Sequence, residues 1–218
     1  NANDPFPFSS PDIDGDGQID IAFANGGNYS SPGDLEPTRI FLNQGARRKF
    51  KDATATIFGA IDAGNHARAV RIVDVNADGK NDIFVANAYG LQSRLFLHQG
   101  DSFTEVTEAN LPKSKRSFGD AQFGDVDQDG DLDIMLADWG PGTATGNAGG
   151  PVVLWLGDGA GKFTEAPDGH VPDKKHKMSW AMTLLDVDND YDLDLLVSCK
   201  LCSGSSLYRN DGSGRFVD

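Results

Sequence analysis

An all-β β-propeller of four-stranded antiparallel blades, four of them in this chain, is the fold that three features of the sequence predict. One acidic nonapeptide occurs four times, as DIDGDGQID, DVNADGKND, DVDQDGDLD and DVDNDYDLD, beginning at Asp12, Asp74, Asp125 and Asp186. The copies start 62, 51 and 61 residues apart, the mark of a repeat array. Each runs into a short apolar stretch (IAFA, IFVA, IMLA or LLVS), and the same further segments follow in every unit. Nowhere does a helical period stand out.

The second unit shows each element in order. ARAVRIV is β-branched and apolar, the acidic loop follows, and then come DIFVANA, SRLFLHQG and DSFTEVTEA. Short alternating runs punctuated by Gly, Asn and Asp are strand signals. The third strand and its turn recur as RIFLNQG, RLFLHQG, VLWLGDG and SLYRNDG. The fourth opens on phenylalanine each time: KFKDAT, SFTEVT, KFTEAP and RFVD. Four antiparallel strands per unit, repeated, describe propeller blades, at about residues 5–57, 66–110, 117–167 and 177–218 of a single domain, 1–218. Four blades make either a small closed ring or part of a larger one, completed by a longer parent chain or by self-assembly. With strands A to D in each unit, alternation puts the acidic A–B loops and the C–D turns at one end. The B–C loops and D–A crossovers share the other. Length varies most in the B–C loops, long in the first unit (NGGNYSSPGDLEP) and the third (DWGPGTATGNAGG), and variable loops on a rigid scaffold are where recognition usually sits.

Charge narrows the partners. A net −14 over 218 residues disfavours nucleic acid and anionic membranes, and no apolar run approaches the roughly 20 residues of a membrane span. The opening NANDPFPF has neither the basic start nor the apolar core of a secretory leader, as expected of a mature secreted chain or an excised domain. Fifteen of the 33 acids stand at positions 1, 3, 5 and 9 of the four loops, so one divalent cation per loop would bring −14 to −6.

Oxygen donors at 1, 3, 5 and 9, and glycine at 6 in three of the four loops, suit calcium, which takes six to eight oxygens at about 2.3–2.6 Å. No His or Cys lies in any loop, against zinc or copper, and magnesium's tighter octahedron ranks it second. An EF-hand needs a bidentate Glu at position 12. Here that position holds Phe23, Val85, Leu136 and Val197. Two like charges 4 Å apart cost about 4 kcal/mol at an effective dielectric of 20, so an empty loop resists closing and a bound cation reverses the sign. Tyr191 stands where the other loops have Gly17, Gly79 and Gly130, and Asn76 replaces one carboxylate. The fourth site is therefore expected to be the weakest, and the second weaker than the first and third.

DxDxDGxxD followed by an apolar strand, then LFLNQG-like and FTEVT-like strands, resembles the FG-GAP/VCBS repeats of integrin α-subunit propellers and of bacterial surface proteins, over essentially the whole chain. The resemblance implies about four structural Ca²⁺ ions, one per A–B loop. Their ligands would be Asp12, Asp14, Asp16 and Asp20; Asp74, Asn76, Asp78 and Asp82; Asp125, Asp127, Asp129 and Asp133; and Asp186, Asp188, Asp190 and Asp194.

Cys199 and Cys202 form the only cysteine pair. No helix signal follows, which argues against a redox motif, and Ser203 stands where haem attachment needs His, so a short-loop disulfide or two free thiols remain. The four histidines are scattered, and no G-x-S-x-G, P-loop or H-E-x-x-H motif is present; catalysis has no positive signal. Two crossovers are basic, with Lys113, Lys115 and Arg116 in one and Lys174, Lys175 and Lys177 in the other. Tyr29, Tyr89 and Trp139 lie at the same end. Aromatic rings beside cations suit sugar rings and acidic groups, and packing or solubility is the competing role. The expectation is an extracellular or cell-surface calcium-binding module for adhesion or for recognition of a protein or polysaccharide. Its alternatives are the propeller of a secreted polysaccharide-degrading enzyme and a building block of a surface assembly.

Overall fold

A computed structural model describes residues 8–9, 11–26, 31–45, 49–59, 64–100, 102–141, 148–202 and 204–218. They form four antiparallel four-stranded sheets, each with its strands in chain order. The first holds β1 (Phe8–Ser9), β2 (Ile21–Phe23), β3 (Arg39–Asn43) and β4 (Phe50–Asp52). The second holds β5 (Ala67–Val73), β6 (Asp82–Asn87), β7 (Arg94–Gln99) and β8 (Ser102–Glu105). In the third are β9 (Phe118–Gly124), β10 (Asp133–Asp138), β11 (Val152–Gly157) and β12 (Phe163–Glu165). In the fourth are β13 (Ser179–Leu185), β14 (Asp194–Cys199), β15 (Ser206–Asn210) and β16 (Phe216–Val217).

Consecutive sheets pack face on face. Ala22 and Ile40 of the first meet Ile83, Val85 and Phe96 of the second. Phe84, Leu95 and Leu97 from the second sheet's other face then meet Ile134, Leu136, Trp155 and Phe163. Met135 and Leu154 of the third sheet meet Leu195, Val197, Tyr208 and Phe216 of the fourth. Burial follows this order. β6 (DIFVAN) and β10 (DIMLAD), covered on both faces, are buried at every position, which is why their sequences are continuous apolar runs. By contrast β15 (SLYRN) alternates buried and exposed, as a strand with one open face must.

The first strands of successive sheets also touch, β1 with β5, β5 with β9 and β9 with β13. No comparable packing of β13 on β1 occurs among the described residues. Close approach of β9 to β13 needs Gly119, where a Cβ would lie 2.6 Å from the Ser179 carbonyl oxygen. Beside it sits a buried ion pair. Arg71 from β5 reaches the Asp120 carboxylate at 2.5 Å and donates to the Ala121 carbonyl at 2.8 Å. Asp120 accepts from the Met182 backbone N–H of β13 at 2.8 Å, so one carboxylate ties three sheets together. Burial pushes the Asp120 carboxyl above its usual range, and Arg71 opposes the shift.

Two one-turn helices, α1 (Thr54–Phe58) and α2 (Thr107–Asn110), follow β4 and β8. They correct the helix-free reading of the sequence: a single turn is too short to show a period. α1 buries Phe58 against Phe96, with ring centroids 4.8 Å apart. No helix among the described residues is long and apolar enough to cross a membrane.

Candidate metal centres and the opposite loop face

Each acidic loop joins the first two strands of its sheet, and the position-9 aspartate anchors it. Asp20, Asp82, Asp133 and Asp194 are at most 1% exposed. One carboxylate oxygen of each accepts from the backbone N–H at loop position 2 (Ile13, Val75, Val126, Val187) at 2.7–3.0 Å. The other accepts from the third strand (Asn43, His98, Gly157, Asn210) at 2.7–2.9 Å. The position-1 carboxylates Asp12, Asp74, Asp125 and Asp186 accept from the N–H at position 6, at 2.8–3.1 Å. Position 5 caps position 7: Asp16, Asp78, Asp129 and Asp190 accept from Gln18, Lys80, Asp131 and Asp192.

This winding brings carboxylates from positions 1, 3 and 9 together. Asp12, Asp14 and Asp20 each offer an oxygen within 4.8 Å of the others, and so do Asp125, Asp127 and Asp133, and Asp186, Asp188 and Asp194. In the second loop position 3 is Asn76, whose amide donates to Asp78 at 3.3 Å. The donors fit a hard divalent cation: they are all oxygen, and Asp125 Oδ1 is buried with no hydrogen-bond partner. In the fourth loop Arg209 lies 3.4 Å from Asp188. Leu42, Leu97 and Leu156 occupy that place in the other sheets, so among the described residues an ion pair to a loop carboxylate occurs in the fourth site alone.

Position 6 is left-handed in all four loops, with φ of +84° at Gly17, +84° at Gly79, +93° at Gly130 and +72° at Tyr191. A non-glycine residue there costs about 1–2 kcal/mol, and Tyr191, 90% exposed, shows no packing that would offset it. Replacing Tyr191 with glycine is therefore expected to raise stability by about 1 kcal/mol, readable in urea unfolding with calcium present; a lower midpoint would contradict this. Position 4 is left-handed as well, at Gly15, Ala77, Gln128 and Asn189.

Burial, with smaller contributions from neighbouring aspartates, pushes Asp82 and Asp133 from the usual 3.8 up to about 6. Without metal, the folded chain then holds protons that the unfolded chain has released. The stabilisation from these two groups is complete below about pH 4 and lost as pH rises through about 6. The metal-free protein should thus melt higher near pH 5 than near pH 7.5, as far as these groups decide. Metal binding needs the carboxylate, so calcium affinity should fall below about pH 6. A calorimetric pH series with and without chelator checks both signs; a metal-free midpoint that rises from the lower to the higher pH contradicts the first.

The opposite end carries the B–C loops and crossovers, linked by bridges such as Glu36 with Asn65 and Gly150 with His176. Tyr29 lies outside the described residues. Tyr89 is half-buried between His66 and Trp139, and Arg68 lies over both the Tyr89 and Trp139 rings. Trp139, expected to face a ligand, is instead 1% exposed and packs with Ala88 and Met178. Lys113 and Lys115 are exposed, and Lys113 lies 4.0 Å from Glu108. Lys175 is exposed and Lys177 half-buried. Arg116 pairs with Glu165 at 2.9 Å and Lys174 with Asp218 at 2.6 Å. Cys199, the last residue of β14, forms a disulfide with Cys202 in the loop that follows.

A feature missed in the sequence unites this end. The acid closing each fourth strand (Asp52, Glu105, Glu165, Asp218) meets a cation: Arg39, Arg94, Arg116 and Lys174. In the first three units the pair lines a cleft, with volumes of about 280, 630 and 490 Å³; Arg39 and Arg94 open the third strands of their sheets, whereas Arg116 precedes β9. The largest has the tightest pair, Arg94 gripping Glu105 through two bonds of 2.9 Å while Thr107 donates to the same carboxylate. Those bonds hold the Glu105 carboxyl below its usual range. The signal was in the repeated FKD, FTE, FTE and FVD.

A family profile described as FG-GAP-like repeat matches residues 12–85 and 74–136. No curated protein sequence matches the chain. Among solved structures, an Agrocybe aegerita lectin that specifically recognises non-reducing terminal N-acetylglucosamine aligns with a TM-score of 0.55 and 17% identity over 98% of this chain and 52% of its own. The V. cholerae biofilm matrix protein Bap1 aligns at 0.40 and 17%, over 96% of this chain and 38% of its own. The chain thus spans about half the lectin's length and less of Bap1's.

Proposed function

The chain belongs to the FG-GAP-like repeat family, and we propose that it is an extracellular, calcium-stabilised propeller module that recognises a protein or polysaccharide at the end opposite its acidic loops. Three clefts, each lined by the acid that closes a fourth strand and by its arginine partner, are the observation that carries the recognition reading. Each pairs a fixed carboxylate with a guanidinium beside apolar walls, an arrangement that can accept and donate hydrogen bonds to hydroxyl and amide groups at once. Repetition suits a repeating ligand, because weak sites on one body add through effective concentration.

Calcium's part is structural. Asp12, Asp14, Asp16 and Asp20 in the first loop, Asp125, Asp127, Asp129 and Asp133 in the third, and Asp186, Asp188, Asp190 and Asp194 in the fourth would hold the ion; their carboxylates at positions 1, 3 and 9 already converge. In the second loop Asp74, Asn76, Asp78 and Asp82 would do so with one charge fewer. The bound ion would supply the positive charge that lets these carboxylates converge. The position-9 aspartates then fasten the loop to the third strand, so metal binding and sheet pairing reinforce each other. Sites of modest affinity fill where calcium is near millimolar, outside the cell, and a disulfide is at home in the same compartment.

Arrays of polysaccharides and glycoproteins probed in millimolar calcium are expected to show binding without product release, weakened about tenfold by Glu105→Gln, the loss of one charged hydrogen-bonding pair. Release of product from a polysaccharide would favour a degrading enzyme instead, and no binding across the arrays would overturn the recognition reading.

A further inference from the structure

Hydrogen bonds between units tie the acidic loops into two pairs. The Asn210 side chain, 7% exposed, donates to the Val126 carbonyl at position 2 of the third loop at 2.7 Å. It also donates to the Leu193 carbonyl at position 8 of the fourth loop at 3.2 Å. Its backbone N–H holds the Asp194 carboxylate at 2.8 Å, and the Val126 N–H holds that of Asp133 at 2.9 Å. One asparagine thus joins the position-9 anchors of two candidate metal sites. The Gly214 N–H adds a second bond to the Val126 carbonyl at 3.0 Å, and Gln128 of the third loop donates to Asp192 of the fourth. Asn81, beside the anchor Asp82, links the first two loops by donating to the Asp12 carbonyl at 2.8 Å. Between the second and third loops no hydrogen bond occurs among the described residues. Gly157 stands there at the place of Asn210 and Leu132 at that of Asn81, and neither has a side chain that can donate.

We infer that calcium fills these loops as two coupled pairs, the first with the second and the third with the fourth, and that Asn81 and Asn210 are the positioning residues that carry the coupling. The inference rests on the reading of the loops as calcium sites. An ion that draws Asp125 and Asp133 together fixes Val126, which adjoins the one and is bonded to the other. A fixed Val126 carbonyl holds the Asn210 amide, and with it the backbone N–H that orients Asp194. The second ion then meets a loop already ordered and loses less conformational entropy on binding. Linkage makes the effect mutual, each loop of a pair tightening the other by the same factor. Repulsion between two bound ions would act with the opposite sign.

Amide NMR of the 218-residue chain during a calcium titration reads each site separately, through the position-6 N–H groups of Gly17, Gly79, Gly130 and Tyr191. Silencing the third loop with Asp125→Asn and Asp127→Asn is expected to weaken the fourth about fivefold or more and to leave the first two unchanged. Silencing the fourth with Asp186→Asn and Asp188→Asn should weaken the third by the same factor. In Asn210→Ala both sites should still fill, but silencing one should no longer change the other, a loss that a merely structural role would not produce. Should Asn210→Ala misfold, Asn81→Ala applies the same test to the first pair, with Asp12→Asn and Asp14→Asn as the silencing changes. Three results would overturn the coupling while leaving the calcium sites in place: affinities indifferent to the neighbouring loop, a silenced loop that tightens its partner, or coupling that persists in the asparagine variant. No response of any position-6 N–H would overturn the calcium reading, and the coupling with it.

Discussion

Chelating calcium is expected to lower the melting temperature by about 20 °C or more, and magnesium at equal concentration should restore little of it. A site held at 100 times its dissociation constant adds about 2.7 kcal/mol to folding. Three or four such sites approach the roughly 5–15 kcal/mol that stabilises a whole domain. In a chain of this size 1 kcal/mol moves the midpoint by about 2–4 °C, which sets the scale. The geometry explains why removal hurts beyond the loops. Each position-9 carboxylate fastens its loop to the third strand of its sheet. Loops also bind their neighbours, the Asn81 side chain donating to the Asp12 carbonyl at 2.8 Å and the Asn210 side chain to the Val126 carbonyl at 2.7 Å. A chelated protein that melts where the loaded one does would remove the structural role of the metal.

The second large effect belongs to Asp120. Replacing it with alanine should cost about 3–5 kcal/mol, because Arg71 would be left buried without its counter-ion. Both side chains are 5% exposed, so water cannot take over the lost pairing. The Met182 N–H would lose its acceptor too, loosening the fourth sheet from the third. Replacing Arg71 and Asp120 together with apolar residues of similar size should recover much of the loss, as removing both charges removes the desolvation penalty. Urea unfolding of the two single variants and the double variant gives the coupling directly. A cost under about 1 kcal/mol for the single Asp120 variant would place the pair in the class of surface ion pairs and contradict its role as a tie between sheets.

Repetition made most of the fold legible. Four copies of the acidic loop fixed the unit, and alternating apolar runs gave the strand order and the two ends. The left-handed backbone at Tyr191 follows from the glycines at the same position in the other loops. What occurs once stayed hidden. Asp120 sits in FGDAQFG with no counterpart in the other units, and nothing local says that its partner lies 49 residues away. Position 4 of the loops is left-handed at Ala77 and Gln128, residue types that carry no such signal. Trp139 read as a surface aromatic because it opens a polar loop, but burial depends on Met178 and Ala88 arriving from other units. The partial exposure of Phe23 and Leu196 was invisible for a related reason. IAFA and LLVS look as apolar as IFVA and IMLA, and only the sheets around them decide which are covered.

Titrating calcium into the chelator-stripped chain, with heat as the readout, tests the central claim most directly: the acidic loops are metal sites that let the sheets assemble despite their charge. The prediction is about four ions per chain, those of the first and third loops tightest and the Tyr191 loop weakest, with one ion lost when Asp125, Asp127 and Asp133 are replaced by asparagine. No uptake, or uptake unchanged by that replacement, would contradict it.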